Sequence, residues 1–367
     1  MNKHKLRTVF AICALAIMIL DTKTIINGAQ DGIALCLQAI IPSLFPFIIL
    51  SGIINSILLG KSSKLLYPLG RFTKIPQGTE SILLLGILGG YPVGAQVISQ
   101  AYRAGSISSN TAKRMLGFCN NAGPAFLFGM LSLIFSNSAI HWSLWIIHMI
   151  SAIIVGYILP HTMESSKTIQ HNNKITLNEA LKNTIKNTSV ICGWVITFRI
   201  VISVCDKWIL WRFPEDIAVL LSGLLELSNG CISLLNITDE KIRFIYASIM
   251  LAFGGLCVSM QTGSVTQDLG FGYYFPGKIL QALLSLLFSL CFEPLLFNAP
   301  VNLSAIIIII SIIGVYIYFL RRKKLWHLAK ECSIIGKKND RKEQLYAVSK
   351  KDSSFLQLLP TRRHFFR

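Results

Sequence analysis

The sequence is short of charge, and shorter still of acid. Only 14% of its 367 residues are charged, and 17 acidic residues face 35 basic ones. A water-soluble domain of this size needs more polar surface than that, so the soluble globular class is excluded. No HExxH or CxxC pair occurs, the seven histidines are scattered, and the nine cysteines lack metal or redox spacing. These absences remove the usual metal, redox and disulfide frameworks; the cysteines read as small apolar residues. No nucleophile and base stand together either, and the expectation is that the chain is not an enzyme and needs no cofactor.

What is present is apolar sequence, 53% of the chain, with a mean hydropathy of +0.57. The predicted class is an all-α polytopic membrane protein. The formal charge of +18 sits in loops and in the tail after Leu320, where it reads as a cytoplasmic face and not as a nucleic-acid surface.

Lys3, Lys5 and Arg7 precede the apolar stretch Val9 to Leu20. Residues 1–30 therefore read as an N-terminal transmembrane helix, with a signal-like segment as the alternative. Ile33 to Leu59 follows, its start lying along the interface. The next loop, Lys61 to Lys74, is basic and has no acid until Glu80, which puts it inside.

Residues 82–102 are long enough to cross once but are broken at Gly89, Gly90, Pro92 and Gly94, and the far flank (Arg103, Lys113, Arg114) is basic too. Two like flanks predict a re-entrant hairpin; a single kinked crossing is the alternative. Met115 to Phe135 spans outward with a break at Cys119-Asn120-Asn121-Ala122-Gly123-Pro124, and Trp142 to Leu159 returns. Residues 161–175 form a polar cytoplasmic linker.

The second half repeats this order. After an amphipathic stretch, Leu177 to Ile185, and a span from Val190 to Lys207, residues 217–237 read as a second hairpin, broken around Gly223 to Gly230. Phe244 to Val265 is broken at Gly254-Gly255, Lys278 marks an inside loop, and Ile279 to Phe297 goes out. Residues 298–320 give the last span, and 321–367 a basic cytoplasmic tail. The count is eight spans and two hairpins, with both termini cytoplasmic. Residues 31–160 and 176–297 emerge as inverted-topology repeats of about eight transmembrane helices in all.

An opened backbone inside a bilayer survives only where protein or a wet cavity satisfies its polar groups. Paired breaks therefore mark the expected substrate site: Gly90, Tyr91, Pro92, Gly94, Gln96, Asn120 and Asn121 from the first half, and Glu226, Ser228, Asn229, Ser259, Gln261 and Thr262 from the second. Glu226 is the sharpest of these, because a carboxylate at membrane depth is costly and marks a solute, ion or proton path. Arg199 is a candidate partner for it. Gly86, Gly90 and Gly94 also have the four-residue spacing of helix-packing positions. Half-helix N-termini at the breaks favour an anion. No Lys-Ser/Thr follows the glycines, so this is not a nucleotide loop.

Gly89-Gly90-Tyr91-Pro92-Val93-Gly94-Ala95, Asn120 to Gly129, Leu225-Glu226-Leu227-Ser228-Asn229-Gly230 and Phe253-Gly254-Gly255-Leu256 with Gln261 together resemble the sporulation integral membrane protein YlbJ family. That family carries the nucleoside-recognition Gate domain, and the resemblance covers about residues 31 to 297. It implies a spore-forming bacterium, a mother-cell or forespore membrane, and movement of dipicolinic acid toward the spore. Two motifs depart from the family, with Gly89 for its usual serine and Cys119, Asn121, Ala122 and Gly123 in a run otherwise rich in hydroxyls. A nucleoside carrier using Glu226, Asn229 and Gln96, and a non-transporting scaffold acting through the tail, are the alternatives. The expected partners are a small-molecule substrate and the lipid bilayer, with a homo-oligomer or other sporulation membrane proteins beside them. The coupling ion, H+ or Na+, stays open.

Overall fold

A computed structural model describes residues 3–58, 61–161, 175–298 and 300–322. Most of the linker at 161–175 and nearly all of the basic tail at 321–367 lie outside the described residues. Contacts divide the chain into a unit Met1–Gly314 and a second unit Val315–Arg367. The described residues are helical, with no strand among them. Among the described residues six helices are long and apolar enough to cross a membrane, and two shorter apolar ones, Ala11–Leu20 and Pro124–Ile134, accompany them.

Helix α1 (Lys3–Leu20) ends at Asp21, earlier than the sequence expectation of a first span running on through Ile25 and Ile26. α2 (Thr22–Leu35), a π turn (Cys36–Ile40) and α3 (Ile41–Leu58) instead join into one helix of 37 residues. Pro42 lacks an N–H and crowds the turn before it. The wider π turn lies immediately ahead, so the helix passes the proline without stopping.

After α4 (Tyr67–Phe72), two short helices, α5 (Glu80–Leu88) and α6 (Val93–Arg103), pack on one another across the break at 89–92. α7 (Ser109–Met115) and α8 (Pro124–Ile134) flank the second break, and α9 (Ser138–Ile158) completes the first half. Pro124 at the first turn of α8 gives up an N–H that would be unpaired there anyway.

α10 (Leu177–Trp208) begins at a capping box in which Thr176 and Glu179 satisfy each other's backbone N–H groups. It runs unbroken for 32 residues, so the expected interfacial stretch and span are one helix. α11 (Glu215–Leu225) and α12 (Leu227–Ser233) form the second short pair, hinged at Glu226; α13 (Glu240–Phe253) and α14 (Gly255–Val265) flank Gly254; α15 (Tyr274–Phe297) follows. α16 (Leu303–Arg322) is the last described helix. Long helix, short pair, broken helix and plain helix thus occur twice in the same order.

Two pairs of packed helices run in opposite directions. Along α2 and α10, Asp21 bonds Lys207 at 2.7 Å and Asp31 bonds Arg199 at 3.0 Å, while the Cys36 thiol points at the Cys192 carbonyl at 3.8 Å. Numbers rise on one helix as they fall on the other. Gly28 and Gly32 leave no room for a Cβ against Ser203 and Ile196, the close approach that small residues four apart permit. α9 and α15 are likewise antiparallel. Ile140 and Leu144 share an apolar cluster with Phe292 and Leu296, whereas Leu159 and Tyr273, at the opposite ends, both press on Gly117.

Candidate functional site

The first break is locked by glycine. A Cβ at Gly86 or at Gly94 would lie 1.9 Å from the Cys119 carbonyl oxygen, and Gly90, at φ +77°, lies against Gly123. Only backbone fits there: these glycines open the break and seat α5 and α6 on the non-helical stretch at 119–123. Pro92 is buried at the start of α6. Asn120 closes the junction, its Oδ1 accepting from Ala95 N at 3.2 Å and its Nδ2 donating to Thr262 Oγ1 at 3.0 Å. His148 on α9 accepts the Ala122 N–H at 3.1 Å.

Tyr91 reaches from this break to the other half. Its hydroxyl donates to the Leu251 carbonyl at 3.1 Å, and its ring lies against Gly254, which at φ +81° has no Cβ to obstruct it. The broken segments of the two halves therefore touch at Tyr91.

In the second half Glu226 is 2% exposed. It caps α12, its two oxygens accepting from Ser228 N at 3.1 Å and Asn229 N at 2.6 Å, which satisfies N–H groups a helix start leaves open. Among the described residues it makes no ion pair. Arg199, expected as a candidate partner, binds Asp31 instead, because it sits on the face of α10 that packs on α2.

A cavity of about 40 Å³ lies where these parts converge. Tyr91, Ala122 and Gly123, Glu226 and Ser228, and Val258 and Gln261 line it from the four broken segments, and Ser43 on α3 and Ile191 on α10 close it. One water needs roughly 10–15 Å³, so the cavity has room for about three or four. The N-terminus of α8 opens onto it through Gly123 and Phe126. The starts of α6 and α12 are already engaged, by Asn120 and by Glu226.

The other expected site residues lie around the cavity, not in its wall. Asn229 Nδ2 donates to Ser222 Oγ at 2.6 Å, and Ser259 bonds its own helix at Gly255 O. Thr262 holds Asn120. Gln96 lines a second, smaller cavity with Ser51, Gln100, Asn183 and Thr184, and its buried Nε2 has no hydrogen-bond partner among the described residues. Gln96, Asn229 and Glu226, read together for a nucleoside, do not share a cavity.

Lys278 departs most from its sequence reading. Expected in an inside loop, it lies in the second turn of α15 and is fully buried. Its Nζ donates to Gln281 Oε1 at 2.8 Å, Tyr91 Oη at 3.1 Å and Asn121 Oδ1 at 3.3 Å. Gln281 also donates to Asn121 Oδ1 and to the His148 carbonyl. Lys278, Gln281, Ser285 and Ser289 recur at helical spacing in an otherwise apolar segment. That buried polar stripe was the available signal.

No protein-family model and no solved structure matches the chain. The chain is similar to the sporulation integral membrane protein YlbJ of Bacillus subtilis (strain 168), at 24% identity over 353 residues, 80% of this chain and 85% of that protein. The similarity agrees with the resemblance carried by the broken segments, and the apolar helices make this an integral membrane protein.

Proposed function

We propose that the chain is a carrier that moves a small anionic or aromatic solute across a sporulation-linked membrane by alternating access, with dipicolinate the first candidate. The observation that carries the reading is the cavity itself, to which all four broken segments and both long helices contribute around Tyr91 and Glu226. Two inverted repeats exchanging conformations would expose such a midplane site to each side in turn.

The antiparallel pairing of α2 and α3 with α10, and of α9 with α15, supports inverted repeats, since a two-fold axis in the membrane plane reverses equivalent helices. Helices α5 with α6, and α11 with α12, are then the re-entrant hairpins. The basic loops support cytoplasmic termini. With room for only a few waters, the cavity would have to widen to admit such a solute. On opening, the free N-terminus of α8 offers a solute carboxylate its N–H groups and positive dipole end, and the Tyr91 ring offers an aromatic face.

Labelled dipicolinate and labelled nucleosides, supplied in parallel to proteoliposomes of wild type and Glu226→Gln, test this. Saturable dipicolinate uptake that is lost in correctly inserted Glu226→Gln is the expected result. Uptake of nucleosides alone would replace the substrate class. Failure to move either, under imposed gradients in both orientations, would leave the scaffold reading.

A further inference from the structure

A protonated lysine has three N–H donors and no acceptor. Around Lys278 Nζ stand three neutral oxygens, one per donor, at 2.8, 3.1 and 3.3 Å, and the ammonium lies 4.9 Å from the centre of the Tyr91 ring, an attractive placement for a cation. Tyr91 suits this role, because its own proton goes to Leu251 and leaves its lone pairs for Lys278. Among the described residues Lys278 makes no ion pair, although it is fully buried. A buried cation ordinarily requires a carboxylate; here oxygen dipoles and an aromatic face surround it instead, as they would surround a free monovalent cation.

The cage also spans the halves. Tyr91 and Asn121 come from the two breaks of the first half, and Lys278 and Gln281 from α15 of the second. Whatever cation fills it holds the breaks of one half to the plain helix of the other.

We propose that Tyr91, Asn121 and Gln281 form a monovalent-cation site that the chain fills with its own Lys278 ammonium, so that the protein needs no Na+ or K+ to complete its core or to move solute. The consequence for movement rests on the carrier reading given above. The cage does not.

The full-length protein, purified in detergent, is unfolded thermally in N-methylglucamine chloride and in sodium, potassium, ammonium or methylammonium chloride of equal ionic strength. Wild type is expected to have one Tm throughout. Lys278→Ala, purified with methylammonium present, is expected to lose several degrees on exchange into N-methylglucamine and to regain them with methylammonium or ammonium, saturably, as for a ligand bound by the folded state alone. Lys278→Met, whose side chain fills the space without charge, is expected to be destabilised and not restored.

An alanine variant blind to ammonium ions, a methionine variant as stable as wild type, or a wild type stabilised by Na+ or K+ would each overturn the proposal. Failure of Lys278→Ala to accumulate even with methylammonium, while Lys278→Met folds, would do the same. In proteoliposomes that do take up solute, loss of uptake on replacing Na+ and K+ by N-methylglucamine would overturn the consequence for movement. These unfolding readings hold whether or not any solute moves, so failure of the cage and failure of the carrier are separable.

Discussion

Asn120 donates to the hydroxyl of Thr262 at 3.0 Å, joining the broken helix of the first half to its counterpart in the second across 142 residues of chain. The same side chain accepts from Ala95 N, so one amide ties together three of the elements around the site.

Asn120→Ala should therefore destabilise more than an ordinary buried truncation. It strands the Ala95 N–H, an omission that costs about 1–3 kcal/mol, and it also loses the Thr262 contact. A Tm in detergent equal to that of wild type would show that the junction does not depend on Asn120.

Gly94→Ala and Gly129→Ala should differ in sign. The first drives a Cβ into the Cys119 carbonyl, whereas nothing lies within 4 Å of a Cβ at Gly129, in the body of α8. There alanine should stabilise by roughly 0.5–1 kcal/mol. Expression and thermal unfolding of the two variants side by side check the contrast, and equal behaviour would contradict the packing described.

Arg114 is 3% exposed and donates to the carbonyls of Thr73, Lys74, Gly156 and Leu159. Arg114→Lys keeps the charge but loses the planar fork. At least one carbonyl is left unpaired, and the expected loss is about 2 kcal/mol or more. Unfolding of the lysine variant at the wild-type temperature would refute this.

Arg199→Gln should leave uptake intact, because Arg199 pairs with the half-exposed Asp31 and not with Glu226. Its effect on stability should stay within about 1 kcal/mol. Loss of uptake in stable, inserted Arg199→Gln would restore the pairing with Glu226 that the sequence suggests.

The breaks were legible because glycine and proline announce themselves: Gly89 to Pro92, Gly123-Pro124 and Gly254-Gly255 each fall where a helix stops or turns. Glu226 was legible because a lone acid in an apolar run has few reasons to be there. Lys278 misled for the complementary reason, since a lone base near the start of an apolar run reads as a loop marker. The oxygens that hold it come from residues 91, 121 and 281, and no local pattern links them. The first span was misjudged in length because the apolar residues around Asp21 outweighed it: read as lying within a span, Asp21 separates two helices. The partner of Arg199 followed from which face of α10 meets Gly28 and Gly32, a tertiary fact.

Those two glycine-lined contacts at Cys119 also constrain how the molecule can move. Where backbone rests directly on backbone there are no rotamers to adjust, so α5, α6 and the stretch at 119–123 must travel as one solid piece. Under the carrier reading, a solute entering beside Tyr91 would meet one stiff wall, and the give would have to come from the opposite wall, from α10 and the Glu226 turn.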